Sequence, residues 1–186
     1  MTKFNQKRGD SNIVLSQKQG FTLIEILIVI ALIGSLALIF YPSIMNSLET
    51  RAIENQTRAI LATLERTKFE AVNSKLNHRV RFFYEGTNWY YVIEKEDTLG
   101  NWAILPNFIR KRLSKTLNVS INFPAVMSGS GQSVDFSPLG LITNYVINQD
   151  TIVLQSDRLK GYNQPDQRII RVYMGGSLKY IKSQSV

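Results

Sequence analysis

One carboxylate sits where a carboxylate is expensive. Glu25 is the single charged residue in the run from Phe21 to Tyr41, FTLIEILIVIALIGSLALIFY. An acid inside an apolar helix normally faces a cationic partner or snorkels to water. Glycine precedes this run, at Gly20, and cleavage after Gly20 would create a free amine on Phe21, four residues before Glu25. Within one helix that amine and Glu25 are i and i+4, and the amine of a neighbouring copy can approach as well. Pairing with the neighbour's amine, strengthened by low dielectric, would select the axial register of an assembly.

Other chemistry is scarce. The 186 residues contain no Cys and one His, which excludes disulfides, Cys-ligated metals, thiol nucleophiles and His-pair metal motifs. Neither a Gly-rich phosphate loop nor G-x-S-x-G, H-E-x-x-H or an EF-hand loop occurs. His78 falls at the expected end of a helix, where an imidazolium complements the dipole. Asp135, Asp150, Asp157 and Asp166 fall near expected turns, where Asp accepts local backbone hydrogen bonds. The expectation is a protein that is not an enzyme and needs no cofactor or metal.

The elements that position Glu25 follow from composition. At about 1.5 Å per residue, the 21 residues from Phe21 make a helix of roughly 31 Å, close to a hydrocarbon core of about 30 Å. Fourteen are Leu, Ile, Val or Phe, worth roughly −4 to −8 kcal/mol on insertion, against about +3 kcal/mol for a carboxylate at mid-membrane. A buried core helix is a poor alternative, because the run has no polar face. The net charge is +8, and Lys3, Lys7, Arg8 and Lys18 against Asp10 place +3 of it before the run. The positive-inside rule therefore expects residues 1–20 in the cytoplasm and 43–186 on the far side. A secretory signal would have its small-residue cleavage site after the apolar stretch, and here the order is inverted.

Gly20-Phe21-Thr22-Leu23-Ile24-Glu25 resembles the processing motif of type IV prepilins and of the pseudopilins of type II secretion. The resemblance continues through Gly34 and Pro42, which fall where this superfamily has them. It implies that a prepilin peptidase cuts between Gly20 and Phe21 and methylates the Phe21 amine, and that Glu25 serves assembly. It also implies partners: other pilins or pseudopilins in a hetero-oligomeric filament, and a membrane platform with its ATPase. Gly34-Ser35 and Pro42 have mechanics of their own. Gly weakens a helix by about 1 kcal/mol and Pro42 removes the bond to Leu38, so 34–42 is the softest part of the rod. Small residues at a helix–helix contact are a second explanation for Gly34 and Ser35.

Beyond Pro42 the helix is expected to run to about residue 76. Ile53, Ile60, Leu61, Leu64, Ala71 and Val72 fall on one broad face, with Glu54–Arg58 and Glu65–Lys68 as surface pairs. The period then changes to two. Arg79–Tyr84 and Trp89–Glu94 form a hairpin, and short strands are expected near 102–105, 117–123, 133–136, 141–147, 151–156, 168–174 and 178–182. Arg110–Lys115 is expected as a helical turn or loop. The expected organisation is a leader (1–20), a membrane and assembly helix (21–42), its amphipathic continuation (43–76) and a β-rich domain (77–186). The class is α+β, a pilin-like fold with the long helix on antiparallel sheet. Phe136-Ser137-Pro138-Leu139-Gly140, Arg168-Ile169-Ile170-Arg171-Val172 and Gly175-Gly176-Ser177-Leu178 resemble the H-type minor pseudopilins and related FimT-type minor pilins, which implies a scarce subunit near the filament tip.

Nucleic acid is the alternative partner. Arg158, Lys160, Arg168, Arg171, Lys179 and Lys182 interleave with Tyr162, Tyr173 and Tyr180, a composition suited to phosphate contact and base stacking. Some FimT-type pilins carry basic residues after a C-terminal glycine, but Gly176 here precedes Ser177-Leu178. The plainer reading is that these cations solvate strand faces and guard edges.

Overall fold

The computed structural model describes residues 20–126 and 129–185, so the basic leader lies outside the described residues except for Gly20. Helix α1 spans Leu23–Ser74 and contains Pro42. The chain divides between Tyr41 and Pro42 into two compact units.

In the second unit α1 buries Asn46, Ile53, Thr57, Ile60, Thr63, Leu64, Thr67 and Ala71, a stripe at three- and four-residue spacing. Three threonines belong to it, and Val72, expected on the stripe, is exposed. A buried hydroxyl needs a partner, and each finds one on the preceding turn: Thr57 donates to the Ile53 carbonyl (2.7 Å), Thr63 to Ala59 (2.8 Å) and Thr67 to Thr63 (2.7 Å). The helix ends at Ser74, and Lys75 turns the chain out at φ +59°.

Strand β1 (His78–Glu85) and β2 (Asn88–Glu96) form the expected hairpin. Its two-residue loop has Gly86 at φ +62°, the left-handed first position that a type II′ turn requires. Phe83–Tyr90 stack at 5.9 Å and Tyr84–Trp89 meet edge to face at 5.5 Å, so cross-strand aromatic pairs hold the register. Strands β3 (Trp102–Ile104), β4 (Lys111–Arg112), β5 (Asn118–Asn122), β6 (Gln132–Phe136) and β7 (Thr151–Gln155) follow. Helix α2 (Asp157–Gly161), β8 (Gln167–Val172) and β9 (Leu178–Ser183) complete the chain. One sheet has the order β3-β2-β1-β6 with β4 also on β2, the other β5-β7-β8-β9, and every pairing is antiparallel. Ile60 and Leu64 of α1 share one core with Phe82, Tyr91, Phe136, Ile152, Leu154 and Ile170.

Four expectations change. No strand forms over 141–147, where Ile142 and Val146 make isolated bridges. The Asn144 side chain takes the place of a neighbouring strand, accepting from the Asp135 amide (3.0 Å) and donating to the Ser133 carbonyl (2.9 Å). Arg110–Lys115 is neither helical turn nor loop throughout, because Lys111 and Arg112 pair with Tyr91 and Tyr90. His78 does not cap α1, which has already ended; it opens β1, buried, with Nδ1 3.0 Å from the Leu76 carbonyl oxygen. Glu54 turns to Arg168 (3.3 Å) instead of Arg58, Lys68 donates to the Gly176 carbonyl (2.9 Å), and Arg66–Glu70 is the helix-surface pair (3.7 Å).

Gly176, whose carbonyl accepts from Lys68, sits at φ +73°, and a Cβ there would lie 1.9 Å from the Gly140 carbonyl oxygen. Backbone cannot retreat as a side chain can, so Gly176→Ala combines left-handed strain with a steric clash. Thermal unfolding of the detergent-solubilised chain is expected to show a loss of about 2–3 kcal/mol. Gly161→Ala, with open space around its Cβ and no left-handed φ, is the control and leaves the midpoint within about 2 °C.

On the other face of the first sheet, Glu94 accepts from Arg79 (2.6 Å) and Arg81 (2.8 Å), and the Arg79 guanidinium lies 4.1 Å from the Trp102 ring centroid. Asp135 stands opposite Arg79 on β6. Burial pushes its carboxyl above the ordinary value, opposed by the Ser133 hydroxyl and the Arg79 charge. A raised folded pKa means the fold disfavours the charged form, so stability is fullest below the unfolded value and falls as pH rises through the folded one. Asp135→Asn is therefore expected to stabilise the chain at pH 7, a gain that disappears below about pH 4. Chemical denaturation at the two pH values checks both signs.

Candidate functional site: the N-terminal helix and Glu25

Gly20 and Phe21 precede α1, and Phe21 is 80% exposed. The helix starts where Thr22 caps it. The Thr22 Oγ1 accepts from the Glu25 amide at 3.3 Å, while the Thr22 carbonyl accepts from Glu25 (3.1 Å) and Ile26 (3.2 Å). Thr-x-x-Glu is the spacing of a capping box, and an acid in the first turn also favours the positive helix end. This role of Thr22 was legible in the sequence as a capping pattern, and the processing pattern over the same residues masked it.

Beyond the cap the apolar surface is bare. The most apolar stretch has a mean hydropathy of 2.9 with none of it buried, and one helix among the described residues is long and apolar enough to cross a membrane. Leu23, Ile24, Leu38 and Ile39 are each more than two-thirds exposed. Phe21, Glu25, Ile26, Val29 and Ile30 line an open hollow of about 220 Å³, with no cation within ion-pair distance of Glu25 among the described residues. The Gly34 Cα faces open space, and Ser35 returns its hydroxyl to the Leu32 carbonyl (2.8 Å). The helix passes through Pro42.

The six C-terminal cations do not gather on one surface. Arg168 is fully buried, donating to the Pro165 and Gln167 carbonyls (2.9 and 3.0 Å) and to Glu54. Its proposed phosphate contact is corrected accordingly: the guanidinium is interior. Lys182, opposite Arg168, reaches Glu54 at 4.0 Å. Arg171 and Lys179 are cross-strand partners, the former 3.6 Å from Asp150. Arg158 and Lys160 lie apart from them on α2, where Arg158 donates to Asn46 (3.1 Å).

No group of three or more His, Asp or Glu able to hold a metal occurs among the described residues. Asp157 accepts from Asn118 (2.8 Å), and Asp166 accepts from the Ser185 amide (2.8 Å) and hydroxyl (2.7 Å) and from Gln155 (2.7 Å). Burial raises the Asp166 carboxyl, but these hydrogen bonds together outweigh it and leave the group below its ordinary value. Asp166 thus ties the C-terminus to β7, and Asp157 ties α2 to β5.

Residues 15–41 match the prokaryotic N-terminal methylation motif, a family defined by this segment. The match spans the Gly20–Phe21 junction, Glu25 and the whole apolar run. No curated protein sequence matches the chain. Among solved structures, the chain is similar to the minor pseudopilin EpsH from the Type 2 Secretion System of Vibrio cholerae, at 15% identity and a TM-score of 0.49, over 69% of this chain and 95% of that one. It is also similar to the type IV minor pilin FimU of Pseudomonas aeruginosa, at 14% identity and a TM-score of 0.49, over 74% of this chain and 98% of that one.

Proposed function

We propose that the chain is a minor pseudopilin or minor pilin, a single-pass membrane subunit that assembles through its N-terminal helix into a type II secretion pseudopilus or a type IV pilus, near the tip. One observation carries the proposal: the methylation-motif match over 15–41 coincides with an apolar run, none of whose most apolar stretch is buried, and whose single charged residue, Glu25, lies four residues after Phe21. A prepilin peptidase removes residues 1–20 and methylates Phe21. The N-terminus faces the cytoplasm, residues 43–186 lie across the inner membrane, and a platform with its ATPase drives extraction.

Extraction is feasible because the apolar surface passes from lipid into a bundle of like helices and never meets water. No step in this sequence asks the subunit itself for catalysis. Intact mass of the cellular protein tests the processing directly. The expected species starts at methylated Phe21, and an intact Met1 or a different start would refute the proposal.

A further inference from the structure

We propose that the cleft on the outer face of the first sheet binds one pyranose ring of a neutral glycan, between Trp102 and Asp135. The cleft lies wholly within the second unit of the chain and owes nothing to the apolar run.

Four strands build it. Arg79 on β1 stands opposite Asp135 on β6, and Glu96 on β2 stands opposite Trp102 on β3. Cross-strand partners lie about 4.5–5.5 Å apart. The four side chains therefore border one space of about 560 Å³, within the roughly 300–1,000 Å³ of small-molecule sites. Each polar group is oriented by a single protein partner. Arg79, only 5% exposed, gives its Nε to Glu94 at 2.6 Å, and its Nη groups take no partner among the described residues. Asp135 Oδ1 accepts from the Ser133 hydroxyl (2.6 Å), and Glu96 Oε2 accepts from Asn77 (2.6 Å). The second oxygen of each carboxylate takes no partner among the described residues, and no ion pair joins Arg79 to Asp135. The backbone beneath is fixed, since Asn144 accepts from the Asp135 amide (3.0 Å) and Thr143 donates to its carbonyl (3.3 Å).

These groups set the class of ligand. Arg79 and Arg81 carry +2 against −3 from Glu94, Glu96 and Asp135, so the site disfavours an anion. It disfavours a cation as well. The Arg79 guanidinium already covers the Trp102 ring at 4.1 Å from its centroid, and its buried Nη donors call for an acceptor. The complementary ligand is neutral, accepting from Arg79 and donating to Asp135 and Glu96. A hydroxyl does both at one atom. A pyranose carries hydroxyls on adjacent carbons, and its C–H face suits the half-buried indole of Trp102. A peptide group donates and accepts from opposite edges, so it cannot serve neighbouring Arg79 and Asp135 from one side.

The full chain is carried in phosphatidylcholine nanodiscs, because a glycoside detergent would compete. The chain has two tryptophans, so Trp89→Phe leaves Trp102 as the fluorescent reporter. Cellotriose, maltotriose and triacetylchitotriose are titrated in, and binding is followed by emission and by calorimetry. At least one trisaccharide is expected to give a saturable shift of Trp102 emission. Asp135→Asn is expected to weaken that trisaccharide about tenfold, the worth of a hydrogen bond to a charged group. The same substitution is expected to stabilise the fold at pH 7, so weaker binding with an unlowered melting temperature is not an unfolding effect. By calorimetry Trp102→Ala abolishes binding and Trp102→Tyr restores most of it. Absence of saturable binding by all three trisaccharides at millimolar concentration overturns the proposal. Binding that survives both Asp135→Asn and Trp102→Ala places the sugar elsewhere and overturns the site. A saturable response to spermidine or to trialanine in place of the sugars overturns the class of ligand.

Discussion

Glu25→Ala is expected to leave the protein in the membrane and to remove it from the filament. Insertion improves slightly, because a carboxylate costs as much as about 3 kcal/mol in the hydrocarbon and less near its edge. Processing is expected to continue, since the Gly20–Phe21 junction is unchanged. Assembly fails for an electrostatic reason. Glu25 opens onto an apolar hollow with no ion-pair partner among the described residues. On the proposed function the processed amine of the next subunit, beside the chain's own at i and i+4, is the complementary charge at that depth. Removing the acid leaves that amine unpaired in low dielectric, a penalty of about 3–5 kcal/mol per subunit, or two to four powers of ten in incorporation. Fractionation into membrane and sheared filaments, with wild-type and variant chains co-expressed, reads both halves of the result. Unchanged recovery in filaments refutes the pairing. Glu25→Gln separates charge from capping, because Gln keeps a capping-box side chain at this position while losing the charge, whereas Ala loses both.

The parts of this molecule that were legible beforehand are those governed by short-range rules. Phe21 to Tyr41 could be recognised because a bilayer filters on length and apolarity alone. The hairpin could be recognised because Glu85-Gly86-Thr87-Asn88 interrupts two aromatic, β-branched runs. Failures begin where a side chain substitutes for backbone. Asn144 hydrogen-bonds β6 as a strand would, so a segment with strand-like composition has no ladder to join. The five residues of α2 are too few to show helical periodicity, and their cap at Ser156 also serves a helix more than a hundred residues away. The threonines of α1 were invisible for a related reason. A hydropathy pattern scores Thr57, Thr63 and Thr67 as polar, yet back-bonding to the preceding turn makes each of them a methyl-bearing core residue.

The same logic explains the candidate site. The Gly20–Phe21 junction and Glu25 stand out in the sequence because residue type and position along one helix are local features. The arrangement of the basic residues near the C-terminus does not, because alternation along β8 and β9 sends neighbouring cations to opposite faces. Arg171 and Lys179 share one face, whereas Arg168 and Lys182 share the face that meets Glu54. Composition suggested a single patch and topology divided it.

Arg168 and Glu54 make a sharper test of this division. Arg168 has a side-chain exposure of 0%, against 30% for Glu54. Truncating each partner therefore should not cost the same. In Arg168→Met the acid keeps water and Lys182 at 4.0 Å, and the expected loss is about 1–2 kcal/mol, since the methionine fills much of the vacated space. In Glu54→Ala the guanidinium stays interior with two carbonyl partners and no counter-charge, its Nε already without a hydrogen-bond partner. The expected loss there is about 3–4 kcal/mol. Combining Arg168→Met with Glu54→Ala removes both charges at once and should leave a loss of about 2–3 kcal/mol, smaller than the sum of the two single losses by a coupling of about 2–3 kcal/mol in a double-mutant cycle. Were Arg168 instead a surface cation available to a phosphate backbone, both single substitutions would stay within about 0.5 kcal/mol of wild type and the coupling would vanish as salt is raised. Urea denaturation of the four chains at low and high salt distinguishes the two. A large, salt-insensitive asymmetry means that this arginine holds the second sheet against α1, carrying a docking role that its place in a basic, tyrosine-rich stretch conceals.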